Sequence, residues 1–269
     1  LSWTKYRHWR IGFGPFPIVL SINLFLWFRE EYFFLQFILI ALTYFCREFI
    51  HWTRAGRSTH IFNPSAFSLS FVSAALLLTN NLGLTRGVEI IESLTLPPNV
   101  FEVVFLLGLV VQVLYLTTVV SLGAMASLVL FFHAASAIWG APISRLPIEV
   151  SVFLGLTLLV TDPSTSPQTS IGKLLFGVVY GTGTFLAFIG LRWMQLPSFV
   201  DKIWMVPIVN LMVPIFDRIG IASSSWFTRR TWIPTWRPGR FVWLVVYGTL
   251  FLAVLTSFKN PVVQSQTLF

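Results

Sequence analysis

One polar stretch in otherwise apolar sequence decides how this chain folds: residues 160–173 read VTDPSTSPQTSIGK. The stretch separates two apolar runs, Ile148–Leu159 and Leu174–Leu191. Asp162 before Pro163 is typical of a helix start, because the carboxylate can accept a backbone hydrogen bond and proline fits the first helical position. A polar turn at membrane depth is tolerated where it is buried in protein or lines a cavity. The stretch therefore predicts either a helix-opening turn at a buried site or a short surface loop before a capped helix.

The composition is that of an all-α polytopic membrane protein. The 269 residues are 55% hydrophobic and only 10% charged, with a mean hydropathy of +0.78, whereas soluble domains carry about 25% charged residues. The 27 Phe and 11 Trp fit lipid-facing surfaces and interfacial belts. The net charge of +8 is assigned to contact with anionic lipid head groups and not to nucleic acid. The single cysteine excludes an internal disulfide and a multi-cysteine metal site.

The apolar runs predict about nine transmembrane helices. The predicted segments are Ile11–Phe28, Tyr32–Cys46, Asn63–Leu82, Phe101–Val119, Leu122–Trp139, Ile148–Val160, Leu174–Leu191, Ile203–Phe216 and Phe241–Phe258. Of the 18 Lys and Arg residues, six then fall in outer loops, and the other twelve fall in inner loops. The six are Arg29, Arg86, Arg145, Arg192, Lys202 and Lys259. This asymmetry predicts a cytoplasmic N-terminus and an external C-terminus.

Two of these segments are short or interrupted. Ile148–Val160 runs directly into the Asp162–Pro163 turn, and Ile203–Phe216 contains Pro207 and Pro214. Asn63 stands beside Pro64, and Asn210 precedes Pro214, in two segments predicted to cross in opposite directions. Chance can produce such a pair, but interrupted spans in corresponding halves also indicate an inverted repeat with a binding site at its interface.

Three motifs, in this order, resemble the RnfD and NqrB membrane subunits of ion-pumping electron-transfer complexes. They are FNPSA at Phe62–Ala66, TDPS at Thr161–Ser164 followed by Gly172–Lys173, and VNLMVPIFD at Val209–Asp217. The resemblance covers about Leu20 to Arg218. Within the family, the chain is similar to the UnbU-like proteins, a subgroup named from enediyne gene clusters. It implies an inverted-repeat bundle with interrupted helices, placed with other subunits in a bacterial-type inner (cytoplasmic) membrane.

The family pattern has ten helices, of which this chain is expected to lack the first two. Residues 1–220 correspond to the RnfD/NqrB-like transmembrane domain. Residues 221–240 are expected to form a basic, Trp-rich interfacial loop, and residues 241–269 an additional C-terminal helix and tail. Alternating Trp and Arg in the loop suits lipid head groups, and it also suits a docked partner.

The family carries FMN on a threonine within a Ser-Gly-Ala-Thr or Ser-Ala-Thr type sequence that follows the Asn-Pro helix. Thr85 and Thr95 are the only threonines in the corresponding loop, and neither has those flanking residues. They remain weak candidates for a cofactor-binding position, and we expect no covalent FMN.

The same motifs supply the candidates for an ion or solute site. These are Asn63, Ser65, Asp162, Ser164, Thr165 and Asn210. Asp162 is either a group that faces a translocated cation or a helix cap, and these two roles are compatible. Asn63 opens either an anion site at a helix start or an ordinary capped span.

The remaining polar residues in apolar sequence favour structural roles. His133 fits a hydrogen-bonded packing histidine better than a haem or chlorophyll ligand. His51 and His60, in a loop with three arginines, are expected to meet lipid head groups. Glycines in the run YGTGT at Tyr180–Thr184 are expected to let helices pack closely.

The sequence contains no nucleophile motif, Walker loop, dinucleotide fingerprint or metal cluster, so no catalytic or metal-binding residue is predicted. The chain is then at most a subunit of an oxidoreductase complex. Three functions stay open: an RnfD/NqrB-like subunit that supports electron transfer or ion translocation, a non-redox channel or transporter for an ion or small solute, and a membrane scaffold that anchors an extracytoplasmic partner.

Overall fold

The computed structural model describes residues 15–54, 56–93, 100–115, 117–140, 150–196, 200–227, 241–242, 244–249 and 251–252. This part of the chain is mostly helical, as the composition predicts. The helices are α1 (Pro15–Phe25), α2 (Phe34–Phe49), α3 (Pro64–Leu78), α4 (Gly87–Ser93), α5 (Val100–Tyr115), α6 (Thr118–Trp139), α7 (Val150–Leu154), α8 (Ser170–Trp193), α9 (Asp201–Leu211) and α10 (Val213–Phe227). A π-helical turn, Gly155–Leu159, continues α7.

A β-hairpin joins α2 to α3 and was not predicted from the sequence. Its strands, β1 (His51–Arg54) and β2 (Arg57–His60), pair antiparallel with His51 opposite His60. Gly56 turns the chain between them in a left-handed conformation, with φ of 74°, which glycine adopts without a steric penalty. The hairpin brings the end of α2 and the start of α3 to the same end of the bundle.

Two of the described helices, α6 and α8, are long and apolar enough to cross a membrane. Helices α9 and α10 provide a third candidate if they are taken as one span bent by 59°. Helices α1 and α3 are apolar but shorter. Residues 241–242, 244–249 and 251–252 are helical within the predicted last segment. Nine crossings and an inverted repeat therefore stay predictions.

Helices α6 and α8 pack with almost no space between their backbones. A Cβ added at Gly177 would overlap the backbone carbonyl of Val120, and one added at Gly181 would overlap the hydroxyl of Ser127 and the carbonyl of Ala124. The approach therefore requires glycine on α8, which confirms the prediction that this glycine-containing run serves close packing. We call this contact the glycine seam.

Both predicted interruptions are present, but the helix start at Asp162–Pro163 is wrong. Helix α8 begins eight residues later, at Ser170, and Thr169 caps it by accepting a hydrogen bond from the backbone N–H of Gly172 at 3.1 Å. Residues 163–165 form a separate turn. Pro167 explains the delay, because proline disfavours helical backbone in the preceding residue and offers no N–H to a helix.

In the second interrupted segment, only one proline coincides with the break. Pro207 lies inside α9 without ending it, whereas Pro214 is the second residue of α10, just after the bend. A proline in the first turn of a helix costs no backbone hydrogen bond.

Helix α10 continues to Phe227, into the range of the expected interfacial loop. Residues 228–240 of that range lie outside the described residues, so the loop stays a prediction. Lys202, expected in an outer loop, is completely buried at the start of α9. The adjacent Asp201 explains this, since its carboxylate lies 3.2 Å from the Lys202 ammonium group. The charge asymmetry that predicts the orientation becomes larger without Lys202.

Candidate functional site

Three motifs that lie far apart in the sequence meet at one buried junction. The backbone N–H of Asn63 donates to the Asn210 side-chain oxygen at 3.0 Å, and the Asn63 amide group donates to the Leu159 carbonyl at 2.9 Å. The Asn210 amide group donates to the Thr165 carbonyl at 3.3 Å. Each asparagine therefore satisfies backbone groups that the interrupted helices leave without helical partners. We call this arrangement the asparagine junction.

Asn63 also caps α3, as one of the two interpretations of this motif predicts. Its side-chain oxygen accepts from the backbone N–H of Ala66 at 3.1 Å, and Pro64 occupies the first helical position. The Asn63 side chain therefore bonds both the end of the π-helical turn at Leu159 and the first turn of α3. Replacing it would disturb both the cap and the junction.

The Asp162 carboxylate is held by its own turn and by the hairpin. One oxygen accepts from the backbone N–H of Ser164 at 3.0 Å and from the Ser164 hydroxyl; the other accepts from the Thr165 hydroxyl at 3.2 Å. Nε2 of His60 lies 3.5 Å from that second oxygen. Hydrogen bonds of this kind favour the charged form of a carboxyl group.

The hairpin is fastened to the same turn from the other side. The Arg54 guanidinium forms an ion pair with Asp217 on α10 and donates to the Ser166 carbonyl at 2.9 Å. Asp217 in turn accepts from the backbone N–H of Gln168 at 2.8 Å. The Arg54 and Asp217 side chains are 13% and 16% exposed, so solvent screens this pair only partly. Through these contacts the hairpin, the turn at residues 162–168 and α10 are joined by polar side chains next to the asparagine junction, and we call them the polar unit.

A cavity of about 410 Å³ lies beside this unit. Asn63, Ser65, Asp162 and Ser164 line it, so four of the six predicted site residues share one space. Ser65 accepts a hydrogen bond from the Ser21 hydroxyl at 2.8 Å. The volume falls in the range typical of small-molecule sites.

The other two predicted residues support the cavity wall from behind. Thr165 and Asn210 are each about 1% exposed and contact the junction, not the cavity. Their positions suit structural work: Thr165 binds the Asp162 carboxylate, and Asn210 holds two backbone segments together.

Thr85, one of the two threonines weighed for flavin attachment, is engaged within its own turn. Thr85 is 7% exposed, and its hydroxyl donates to the Leu82 carbonyl at 3.0 Å inside a tight turn paired with Phe28. A phosphoester at this oxygen would break the hydrogen bond and require the turn to open. Thr95 lies outside the described residues. The expectation of no covalent FMN stays a prediction.

Sequence reasoning missed the two cavity residues with basic side chains. Arg47 and His60 were assigned to a lipid-facing loop, yet both line the cavity. A signal for His60 was present in the sequence, because it stands three residues before the Asn63–Pro64 helix start. Alternation in a short hairpin then directs every second side chain toward the same face.

The buried Asp201–Lys202 pair was also missed. Both residues are at most 2% exposed, and Tyr180 on α8 donates its hydroxyl to the Lys202 carbonyl at 3.0 Å. Ionisable groups buried among membrane helices are rare and costly unless they are paired. Two opposite charges directly before a short apolar segment were the available signal.

The side chain of His133 is bonded within its own helix and not to a neighbouring one. Its Nδ1 lies 2.8 Å from the Val129 carbonyl of the same helix, and the residue is exposed. Within the described residues, no group of three or more His, Cys, Asp or Glu side chains is arranged to hold a metal ion.

Comparisons with protein-family models, with curated proteins and with solved structures each find no match to this chain. The resemblance to the RnfD and NqrB subunits therefore depends on the three motifs themselves.

Proposed function

We propose that this chain is a multi-pass membrane subunit of the RnfD/NqrB type, with a cytoplasmic N-terminus, in a multi-protein complex of a bacterial-type inner membrane. Its part in the complex is to bind the translocated ion or a small solute in the cavity beside Asp162. The composition, the apolar helices and the charge asymmetry of the loops support the membrane placement.

The observation that carries this proposal is the asparagine junction. The Asn63 N–H and the Asn210 side chain meet across 147 residues of sequence, and the Thr165 carbonyl completes the junction. These residues belong to the motifs, or directly follow the motif, that carry the family resemblance. A transport-type fold places its site where interrupted helices leave polar backbone facing a cavity.

A second candidate is a non-redox channel or transporter built on the same bundle. The Thr85 hydroxyl favours it, because that oxygen is buried and hydrogen-bonded where the resemblance would need a free attachment point. In both cases the cavity is the binding site. The two candidates differ in the presence of a redox group and of partner subunits.

The first experiment separates these candidates by purifying the chain from its native membrane in a mild detergent. In-gel flavin fluorescence, the visible spectrum and mass spectrometry of copurified proteins are recorded on one sample. A flavin-bearing assembly with stable partners supports the electron-transfer subunit. A colourless sample without partners contradicts it, and a colourless sample with one extracytoplasmic partner supports a scaffold.

The second experiment measures the role of the cavity. Proteoliposomes are loaded with a pH-sensitive dye or radioactive sodium, and flux is compared between the wild type and Asp162→Asn. This change removes the charge but keeps an oxygen for the Ser164 N–H. Glu89→Gln, at a half-exposed outer carboxylate, is the matched control. Flux that is lost only in Asp162→Asn supports ion binding at the cavity, and equal flux in all three proteins contradicts it.

A further inference from the structure

We infer that the cavity takes a single-chain amphiphile with an anionic head group, which enters sideways from the lipid phase between α1 and α5. The inference rests on the proposed function only for the membrane placement of the chain. It assigns the chemical class of the cavity's ligand.

The cavity has a polar end and an apolar wall. Arg47, His60 and Asn63 stand at the polar end, where the hairpin joins α2 to α3. Ile18 and Leu24 on α1, Leu107 on α5 and Leu158 in the π-helical turn form the wall. An alkyl chain is stabilised by every methylene that it buries against such a wall.

The rim of the cavity belongs to the outer surface of the helices. Leu20 and Leu107 line the cavity and are still 46% and 63% exposed. Exposed leucines on two apolar helices face hydrocarbon when those helices lie in a bilayer. A molecule dissolved in that hydrocarbon can thus reach the cavity without crossing water.

The charges at the polar end favour a negative head group. Arg47 is in the last turn of α2, and the positive end of the α3 dipole starts at Asn63. Asp162 is the carboxylate among the lining residues, and both of its oxygens already accept hydrogen bonds from Ser164 and Thr165. A cationic head group would face Arg47, so an anion is the better match.

The test is photolabelling in nanodiscs of zwitterionic phosphatidylcholine. The probe is a decanoate that carries a diazirine near the end of its chain, and labelled positions are read by mass spectrometry. We expect labels on α1 and α5 around Leu20 and Leu107. Unlabelled decanoate should compete, whereas acetate, decanol and decyltrimethylammonium should each compete about tenfold less well, since each lacks the chain or the charge.

Two variants with matched controls locate the entrance and the head-group site. Leu107→Trp should reduce labelling by filling the rim, whereas Leu106→Trp should not, because Leu106 is 62% exposed on the same helix but does not line the cavity. Leu20→Trp repeats the test from α1. Arg47→Gln should weaken decanoate competition about tenfold and leave decanol competition unchanged.

Several results would overturn the inference. Competition by acetate equal to that by decanoate identifies a site for small hydrophilic solutes. Equal loss in Leu106→Trp and Leu107→Trp removes the lateral entrance. Equal competition by decanol removes the anionic head group. Absence of labelling together with Asp162-dependent flux rejects the amphiphile but leaves the proposed function intact. Labelling without Asp162-dependent flux supports the amphiphile and contradicts ion binding at the cavity.

Discussion

The glycine seam and the asparagine junction join helices in opposite ways. At the seam, two long helices contact each other through missing side chains, so that Gly177 lies directly against the Val120 backbone. At the junction, short or interrupted segments are joined by side chains, and Asn63 and Asn210 complete hydrogen bonds that the helices leave open. The seam depends on shape, and the junction depends on paired polar groups.

This difference shows where the molecule can afford a binding site. Close backbone packing leaves no space, and it needs no polar group. An interrupted helix needs polar partners, and space remains beside it; the cavity lies there, lined by Asn63 and Asp162. Four substitutions test this contrast, in order of decreasing expected effect.

The largest effect is expected from Asn210→Leu. The leucine removes the acceptor of the Asn63 N–H and the donor to the Thr165 carbonyl, and thus leaves two buried backbone groups unpaired. The free energy of unfolding should fall by about 4 kcal/mol, since each such group costs roughly 1–3 kcal/mol. Thermal or denaturant unfolding in detergent measures it. Ile208→Ala, on the same helix and 49% exposed, should change stability by less than about 1 kcal/mol. Similar losses of stability in both variants would show that the hydrogen bonds of Asn210 do not stabilise the protein more than an exposed apolar side chain does.

The glycine seam is tested by Gly177→Ala. The new Cβ overlaps the Val120 carbonyl, so the two backbones must separate, and we expect a loss of about 2 to 3 kcal/mol. Gly190→Ala on the same helix has open space around its Cβ and should be neutral or stabilising by up to about 1 kcal/mol, because alanine favours helix. The melting temperatures should therefore shift in opposite directions. A shift of the same sign and size would remove the steric explanation.

A smaller effect is expected where the hairpin is fastened to α10. Arg54→Gln removes the ion pair with Asp217 and should cost about 1.5 to 2 kcal/mol, the low end of the range for a hydrogen bond to a charged group, because solvent partly screens the pair. Asp217→Asn keeps an oxygen for the Gln168 N–H, so the double-mutant cycle isolates the charge pair. A coupling energy near zero would mean that the hairpin is held by other contacts.

The smallest effect belongs to the exposed pair of Glu30 and Arg86. A hydrogen bond from Arg86 lowers the pKa of Glu30 below its ordinary value. Its stabilising contribution is therefore fully present above the ordinary glutamate pKa, and it is lost as the pH falls through the lower folded value. The difference in melting temperature between wild type and Glu30→Gln should be small near neutral pH and should vanish in acid. Glu31→Gln provides the control, and a difference that grows in acid would contradict the assignment.

The apolar helices were predictable because a long run of apolar residues indicates a helix without any knowledge of what it packs against. Each of the eight predicted segments up to Ile203–Phe216 overlaps described helix, and both interruptions are present, but only two or three of the described helices are long and apolar enough to cross a membrane. The Asn63–Pro64 cap was predictable for a local reason, since an amide oxygen and a proline act within one helical turn.

What could not be predicted depends on contacts between distant residues. Asp162 was expected to open a helix, but its side chain is engaged within its own turn and with His60, which lies 102 residues away. The start of α8 at Ser170 follows from the local Pro167. The hairpin side chains were expected to contact lipid head groups, because arginine and histidine side chains near a membrane surface usually do. The Asp217 carboxylate that binds Arg54 lies on a helix whose position the sequence does not give. The burial of Lys202 was missed because a lysine normally marks a loop.

The order of Asp201 and Lys202 in the chain has a consequence for biosynthesis. A charge buried among membrane helices is costly unless it is paired. Because these two residues are neighbours, they can pair as soon as both have left the ribosome, before any other helix is in place. If α9 and α10 form one span, that span would enter the membrane with its two charges already paired. Moving the two charges apart along the chain would leave each of them unpaired until the bundle is complete.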